Sequence, residues 1–359
     1  MDNFCEYFID KKALIDNVKT IRRKLANGCK FCAVVKGDCY GLGIENVVPL
    51  IDDYVDFYAV SNIGECKRLK AFTNHRVLLL SEVFLDDIEY CVENNVSVSV
   101  SNLQPLEMME KSITNGYINI HIKINSGMNR YGVKSELLFK KCLNFIKKSK
   151  HLKLEGVYTH FATRQENISF LLNQLDFFKK IIKNLNYSTL LVHCNNSYAS
   201  LDLGLKFGNM VRIGMGMYIK NGYKTITKNV VKITSKVLHI TRVKKGECVG
   251  YDCGYVAEKD MKIGVVGMGY ADGFSRGLSN KFHVLINGQK ANVVGFVCMD
   301  CFMVDLTNIK NVFVGSEVVV LGDSGNETLT LFDYANVLNT SPYEVLTSFN
   351  TKRCNVVVK

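Results

Sequence analysis

The chain has 359 residues, of which 47% are hydrophobic and 22% are charged, and its formal net charge is +11. This composition can bury a large core, which excludes a disordered or fibrous protein, and no apolar run approaches the roughly 20 residues of a membrane span. The basic residues are spread along the chain, without tryptophan, a long basic run or zinc-spaced cysteines, which argues against nucleic acid and leaves small anionic ligands compatible.

Eight β-rich runs occur in the first two-thirds of the chain, and most are separated by segments with helical periodicity such as 170–182. Strands that alternate with helices pair in parallel through right-handed crossovers, so eight units predict an α/β fold, a closed (β/α)8 barrel of TIM type. An open doubly wound sheet is the alternative, but no glycine fingerprint follows the first strand. The predicted strands are Phe31–Val35, Asp56–Val60, Arg76–Leu80, Val96–Val100, Ile118–Ile124, Leu154–His160, Thr189–Cys194 and Met210–Gly214.

The sequence pattern changes after about residue 234, where short predicted strands follow one another at close spacing with turns between them. We therefore predict a barrel domain over residues 11–234 and an all-β domain over residues 235–359, with which a strand in residues 1–10 packs. The strands predicted for this domain are Lys236–Val243, Lys262–Met268, His283–Ile286, Asn292–Phe296, Phe302–Leu306 and Glu317–Leu321.

Polar side chains lie just past the predicted carboxyl ends of several barrel strands, where the active site of such a barrel opens. The first strand ends at Lys36 and is followed by a glycine-rich turn that contains Tyr40. The sixth strand ends at His160 and the eighth carries Arg212. A lysine beside a glycine-rich turn, a tyrosine and arginines indicates a covalently held anionic cofactor. A lysine without such neighbours would more simply be a surface cation.

These and other blocks resemble the alanine racemase family, whose members use pyridoxal phosphate. The segment Ala33–Gly41 resembles the family's cofactor-lysine signature. The resemblance covers nearly the whole chain, and the other blocks follow in family order: Lys123–Gly132, Thr159–Ala162, Asn196–Ser197, Met210–Gly214, Val249–Tyr251, Gly269–Gly273 and Cys298–Asp300.

The resemblance implies a racemase that interconverts L- and D-alanine with two acid–base groups. Inversion needs a proton donor on each face of the substrate's α-carbon. Lys36 would hold the cofactor and serve one face, and Tyr251, from the other subunit of a homodimer with shared active sites, would serve the opposite face. His160 would link Tyr251 to Arg212, which would face the cofactor's ring nitrogen and, because a guanidinium keeps its proton, would favour racemisation over side reactions.

The same resemblance assigns the remaining site residues. Arg130 would contact the cofactor and the substrate carboxylate, with the Met299 amide as a second donor and Tyr270 at the entrance. Lys123 matches a position that is often carbamylated, where the new anion would hold Arg130. No metal is expected. The implied cofactor-binding residues are Lys36, Tyr40, Arg130, His160, Asn196, Ser197, Arg212, Gly214, Met215 and Thr351.

Two positions depart from the family's pattern. Asn125 replaces the usual aspartate near Arg130, and Thr351 replaces a tyrosine that contacts the phosphate and walls the substrate pocket. The segment Lys352–Cys354 also departs from the usual ending. These departures keep two alternatives open: a racemase for serine or for several amino acids, and a catalytically weak homologue that binds the cofactor.

The remaining expectations concern packing and location. Tyr255, Cys298 and His193 are predicted to be packing residues. Thirteen cysteines without regular spacing, and a first segment without the pattern of a secretory signal, predict reduced thiols in a cytoplasmic protein. The expected partner is a second copy of the chain, with no nucleic acid and no membrane, and the expected role is the supply of D-alanine for the cell wall.

Overall fold

The computed structural model describes residues 4–163, 167–220 and 227–359. The chain divides into two compact units. The first, the barrel unit, comprises Ile15–Cys39 and Ile44–Lys228, and the second, the sheet unit, comprises Tyr40–Gly43, Asn229–Lys359 and the start of the chain through Leu14. Among the helices in the described ranges, none has the length and apolar character needed to cross a membrane.

The barrel unit contains eight parallel strands that pair in chain order, with the last strand beside the first. The TIM-type fold predicted from the sequence is confirmed, and each strand lies within a few residues of its predicted position. The strands are β2 (Lys30–Val34), β3 (Phe57–Val60), β4 (Arg76–Leu79), β5 (Val96–Val100), β6 (Ile118–Lys123), β7 (Leu152–Tyr158), β8 (Leu191–His193) and β9 (Met210–Ile213).

The barrel is completed between β8 and β9 by individual backbone hydrogen bonds rather than by a regular ladder. The Asn209 amide donates to the Val192 carbonyl at 2.9 Å, and the Arg212 amide donates to the Asn195 carbonyl at 2.9 Å. Gly208 has φ +89°, and a Cβ there would lie 2.3 Å from the Val192 oxygen. Glycine therefore permits the close approach that holds β9, and with it Arg212, against β8.

Amphipathic helices alternate with these strands and bury one face each. In the sixth helix, for example, Phe139, Cys142 and Ile146 are buried at helical spacing, as expected for a helix that covers a barrel. The helices in this part of the chain are α1 (Lys11–Lys24), α2 (Ile44–Ile51), α3 (Ile63–Lys70), α4 (Leu85–Glu93), α5 (Leu103–Ser112), α6 (Glu136–Lys148), α7 (Ile168–Ile182) and α8 (Ser197–Leu201).

The sheet unit is built around a nine-stranded sheet in which the first and last strands of the chain are neighbours. β1 (Glu6–Ile9) pairs antiparallel with β10 and parallel with β19. The strands that follow the barrel are β10 (Val231–Val243), β11 (Cys248–Val249), β12 (Tyr255–Val256), β13 (Met261–Val266), β14 (His283–Ile286), β15 (Gln289–Asn292), β16 (Phe302–Asp305), β17 (Glu317–Ser324), β18 (Glu327–Leu329) and β19 (Asn355–Val358).

The sequence reading of this unit needs two corrections. The strand predicted at Asn292–Phe296 is displaced: β15 covers Gln289–Asn292, and Gly295, inside the predicted range, has φ +77° and is not extended. Two helices were also missed: α9 (Leu331–Leu338), which begins at a capping box between Thr330 and Asp333, and α10 (Pro342–Ser348). A cap residue followed three positions later by a carboxylate is a signal that could have identified α9.

The expectation that all thirteen cysteines are thiols is wrong for four of them. Cys5 is joined to Cys354, and Cys248 to Cys253, by disulfide bonds, while the other nine cysteines are unpaired. The first pair spans 349 residues and links the segments beside β1 and β19. Its partners become neighbours only through the pairing of these two strands, which spacing along the chain does not reveal.

Candidate active site

Lys36 lies at the carboxyl end of β2, and the chain then makes a left-handed turn. Gly37, Asp38, Cys39 and Tyr40 have φ values of 62°, 53°, 56° and 59°. Left-handed backbone costs roughly 1–2 kcal/mol for each residue other than glycine. Such a turn persists only where its surroundings restrain it.

The restraint comes from carboxylates in the barrel unit. Glu65, in α3, accepts hydrogen bonds from the Gly37 amide at 2.6 Å and from the Asp38 amide at 3.3 Å. The Asp38 carboxylate accepts from the Ile44 amide at 2.9 Å and pairs with Arg68 at 3.0 Å. The backbone that follows Lys36 is therefore fixed on both sides of the turn.

Four cationic residues share the carboxyl end of the barrel: Lys36, Lys123, Arg130 and Arg212. Lys123 is only 5% exposed, and burial, together with Arg130, Arg212 and Lys36, lowers its pKa to about 7. Burial also lowers the pKa of Lys36, with Arg130 as the next cause, although Glu65 opposes the shift. Positive charges that depress one another's pKa values in this way favour an anionic ligand.

Arg212, on β9, is 4% exposed, so its guanidinium donates hydrogen bonds to buried groups of the barrel. Its guanidinium donates to His193 Nδ1 at 2.7 Å, to the Thr159 carbonyl at 2.8 Å and to His160 Nδ1 at 3.3 Å. Because arginine can only donate, both Nδ1 atoms are acceptors, and we assign each neutral ring its proton on Nε2. Burial and then Arg212 hold the pKa of both histidines well below the usual range, which agrees with neutral rings.

A chain of buried groups continues from Arg212 through the barrel interior. With the proton on Nε2, His193 donates to His121 Nδ1 at 2.9 Å, and His121 Nε2 in turn donates to the Glu155 carboxylate at 3.0 Å. Glu155 also pairs with Arg76. Two imidazole rings thus connect the Arg212 cation to a carboxylate.

Sequence reasoning missed most of this chain. His193 does pack as predicted, since its ring stacks on Tyr158 at 4.7 Å, but it also holds Arg212. His121 and Glu155 were not singled out. The signal available was a histidine and a carboxylate within two predicted barrel strands, because polar groups that become buried need partners.

A compact turn after β9 brings together three residues predicted to hold a phosphate. The Ser197 hydroxyl accepts hydrogen bonds from the Gly214 amide at 3.2 Å and from the Gly216 amide at 3.4 Å. Met215 begins the short 3-10 turn that follows Gly214. Asn196 is the N-cap of α8 and accepts from the amide three residues later at 3.0 Å. Asn196 therefore caps the helix that begins at Ser197.

The loop that carries Arg130 is organised by Asn125. The Asn125 side-chain oxygen accepts from the Gly127 amide at 3.1 Å and from the Asn129 amide at 3.0 Å. An aspartate would accept the same two hydrogen bonds. The Asn125 side-chain nitrogen also donates to the Asn129 side-chain oxygen at 3.3 Å, which an aspartate could not do. Compared with an aspartate, Asn125 therefore keeps two hydrogen bonds, adds a third and leaves one negative charge fewer near Arg130.

In the sheet unit, Tyr40 is buried and packs beside α10. Its ring centroid lies 6.1 Å from that of Tyr343, at an angle of 54°. Gly41 follows with φ +91°, and a Cβ there would lie 3.2 Å from the Leu346 carbonyl oxygen. The position of Tyr40 within the sheet unit is therefore restrained by α10.

Three further predicted residues, Tyr270, Met299 and Thr351, lie on adjoining segments of the sheet unit. The Tyr270 amide donates to the Cys298 carbonyl at 3.0 Å, and the next amide donates to the Met299 carbonyl at 3.0 Å. The segment before Thr351 joins them, because the Asn350 amide donates to the Asp272 carbonyl at 3.0 Å. Tyr270 is 43% exposed and Met299 53% exposed, so both side chains are accessible to a ligand.

Arg353 ties these segments together. Its Nε donates to Asp272 at 2.8 Å and one terminal nitrogen donates to Asp300 at 2.6 Å. The sequence marked Lys352–Cys354 only as unusual. The structure gives Arg353 a positioning role that sequence spacing did not indicate.

Tyr251 lies in a short turn between β11 and β12, and 69% of the residue is exposed. It belongs to the sheet unit, whereas Lys36, His160 and Arg212 belong to the barrel unit. The barrel unit thus brings together the predicted cofactor lysine, the cations and the turn at Ser197, and the sheet unit brings together Tyr270, Met299 and Thr351.

Comparison with known proteins gives a consistent result over the whole chain. Residues 9–222 match the family model for the alanine racemase N-terminal domain, and residues 230–358 match that for the C-terminal domain. An alanine racemase of Streptococcus equi subsp. zooepidemicus is 32% identical over 347 residues, which cover 94% of each chain.

Solved structures of alanine racemases have the same fold as this chain. The crystal structure of alanine racemase from E. faecalis superposes with a TM-score of 0.94 at 32% identity, covering 99% of this chain and 98% of that one. Alanine racemase from Bartonella henselae, solved with covalently bound pyridoxal phosphate, gives 0.88 at 26% identity, covering 99% of each chain. The chain therefore belongs to the alanine racemase family of pyridoxal phosphate-dependent isomerases.

Proposed function

We propose that this racemase inverts alanine with Lys36 and Tyr251 acting on opposite faces of the α-carbon. The observation that carries the proposal is the placement of the two groups. Lys36 lies in the cationic barrel end, and Tyr251 is exposed at the tip of a separate turn. Two groups on different supports can approach a planar carbon from opposite sides, as inversion requires.

The residues at the barrel end fit pyridoxal phosphate, an aldehyde that carries a dianionic phosphate. Lys36 would hold the aldehyde carbon, and its lowered pKa increases the fraction of neutral amine that can react and accept protons. The amides of Gly214 and Met215, with Ser197, would bind the phosphate, assisted by Tyr40 and Thr351 from the sheet unit. The bound cofactor supplies an electron sink for the electron pair left when the α-proton departs.

Arg212 would donate a hydrogen bond to the ring nitrogen of the cofactor. Its contacts with His193, Thr159 and His160 hold the guanidinium in one orientation. Because arginine retains its proton, Arg212 would leave the cofactor's ring nitrogen unprotonated and would so limit side reactions. His160, neutral beside Arg212, would take part in a relay to Tyr251.

Arg130 would bind the substrate carboxylate, and Lys123 would position Arg130. A lysine with a pKa of about 7 is largely neutral at slightly alkaline pH, and a neutral amine can add carbon dioxide to form a carbamate. The resulting anion would pair with Arg130. The amide of Met299, with Tyr270 at the entrance, would complete the substrate site.

We further propose that the enzyme is a cytoplasmic homodimer in which each barrel end receives Tyr251 from the other subunit, and that it supplies D-alanine for the cell wall. The division of the chain near residue 234 into a barrel domain and an all-β domain is likewise a proposal, which limited proteolysis would test. Supporting the shared site, Lys36 and Tyr251 belong to different compact units.

Heterodimers with two affinity tags test the proposal. A Lys36→Ala subunit paired with a Tyr251→Phe subunit should hold one intact shared site and recover roughly half of the wild-type activity. The matched control pairs wild type with the double variant Lys36→Ala/Tyr251→Phe. That heterodimer has no intact shared site and should be inactive. The opposite pattern would show that both groups act within one subunit, and activity in neither heterodimer or in both would refute the pairing.

A further inference from the structure

Two exposed cysteines bracket Tyr251 in the sheet unit. Cys248 and Cys253 are joined by a disulfide with a Cα–Cα distance of 4.9 Å. The cross-link closes a covalent ring of six residues, and Tyr251 is one of them. The other disulfide, Cys5–Cys354, joins the two ends of the chain. Only the Cys248–Cys253 disulfide can therefore restrain the backbone conformation at Tyr251 directly.

One side of this ring is well anchored. Cys248 and Val249 form β11, which pairs with β12, and Val249 is 5% exposed in an apolar cluster that includes Met303. At Gly250 a Cβ would lie 2.8 Å from Met303 Cε. The backbone at Cys248 is thus fixed by strand pairing and by the packing of the next two residues.

The other side of the ring holds an unfavourable backbone conformation. Asp252 and Cys253 have φ values of 54° and 47°, a region that residues other than glycine rarely adopt. Consecutive residues of this kind need an external restraint. The disulfide supplies one, because it ties Cys253 to the anchored Cys248.

We propose that Cys248 and Cys253 form a redox-sensitive cross-link that positions Tyr251 for proton transfer. The proposal rests on the role of Tyr251 given under the proposed function. When the cross-link is closed, the turn holds the phenol at its working position. When it is opened by reduction, residues 251–253 relax toward ordinary backbone and the phenol moves away from that position.

The redox step is a thiol–disulfide exchange with a low-molecular-weight disulfide, RSSR. One cysteine thiolate attacks RSSR and releases one RSH, and the second cysteine then displaces the other RSH. Two protein thiols are oxidised to one disulfide, and RSSR is reduced to two RSH. In the reducing cytoplasm proposed for this enzyme the pair would be largely open, so racemisation would increase when the thiol balance of the cell becomes more oxidising.

The experiment compares the holoenzyme equilibrated with reduced or with oxidised glutathione, alongside a Cys248→Ser/Cys253→Ser variant. Alkylation followed by peptide mass analysis reports which cysteines are paired in each sample. We expect the reduced wild type and the double variant to racemise alanine roughly tenfold or more slowly than the oxidised wild type, because misplacement by about 1 Å can cost 10²-fold. The cofactor absorbance should stay unchanged.

A second measurement separates positioning from general damage. Exchange of the α-hydrogen of each alanine enantiomer with deuterium from solvent reports the two faces separately. Opening the cross-link should slow exchange at the Tyr251 face and leave exchange at the Lys36 face within about twofold. The matched control, Cys5→Ser/Cys354→Ser, removes the other disulfide and should retain the full redox response.

The outcomes distinguish the two proposals. Equal racemisation in all samples, with the pair shown to be open and closed, would overturn the cross-link and leave the two-base proposal intact. Equal loss of exchange at both faces would also overturn positioning. If instead Tyr251→Phe racemises normally, the proposed function fails, whatever the state of the cysteines.

Discussion

Replacing His193 tests whether the buried chain from Arg212 to Glu155 contributes to stability. His193→Phe keeps an aromatic ring that can stack on Tyr158, but it removes the acceptor for Arg212 and the donor to His121. Each buried partner left without a hydrogen bond costs about 1–3 kcal/mol. Two such partners predict a loss of roughly 2–6 kcal/mol in the free energy of unfolding.

The loss is measured by denaturant unfolding of the apoprotein at neutral pH. His193→Asn retains an acceptor close to the position of Nδ1, so it should lose only about half as much. His239→Phe replaces an exposed histidine on β10 and serves as the control, with an expected change within about 0.5 kcal/mol. If His193→Phe is as stable as the control, the hydrogen-bonded chain does not stabilise the barrel and the reasoning is refuted.

Three further predictions use other parts of the site. In carbon dioxide-free buffer, Lys123 should add a positive slope to the pH dependence of the apoprotein's stability between pH 7 and 8.5, since the pKa of Lys123 is about 7 in the folded state and higher when unfolded. Lys123→Met should reduce that slope by up to about 1.4 kcal/mol per pH unit, whereas the exposed Lys134→Met should not. Thr351→Tyr should narrow the pocket and raise the alanine-to-serine ratio of kcat/KM by roughly tenfold; an unchanged ratio would mean that Thr351 does not shape it. Arg353→Lys removes the guanidinium whose two nitrogens join Asp272 to Asp300, so it should raise KM for alanine about threefold with a smaller change in kcat. An unchanged KM would contradict the positioning role of Arg353.

The barrel could be predicted because its strands are short β-rich runs and most of them are separated by segments with helical periodicity. The residues at the strand ends, such as Lys36 and Arg212, followed from that prediction because parallel strands present their carboxyl ends on one side. Within the barrel unit the structure brings these two residues to that end as expected. Their catalytic roles remain predictions.

Other features depend on contacts that sequence patterns do not contain. The left-handed turn after Lys36 requires Glu65, from another βα unit, to hold two amides. The buried chain joins His121 to His193, which are 72 residues apart. Local propensity says nothing about such pairs, because each residue acquires its partner only when the barrel closes.

The pairing of β1 with β19 sets the order in which the two units can be completed during synthesis. Glu6 is paired with Asn355, and Cys5 with Cys354 across 349 residues. At translation rates of about 5–20 residues per second, the first strand waits roughly 17–70 s for the strand that covers its edge. An open edge strand can pair with other chains during that interval. Glu6, the first residue of β1, and Asp10, which follows its last residue, have the kind of side chain that discourages such pairing. Aggregation of a nascent chain should therefore depend on these two residues more than the stability of the finished enzyme does.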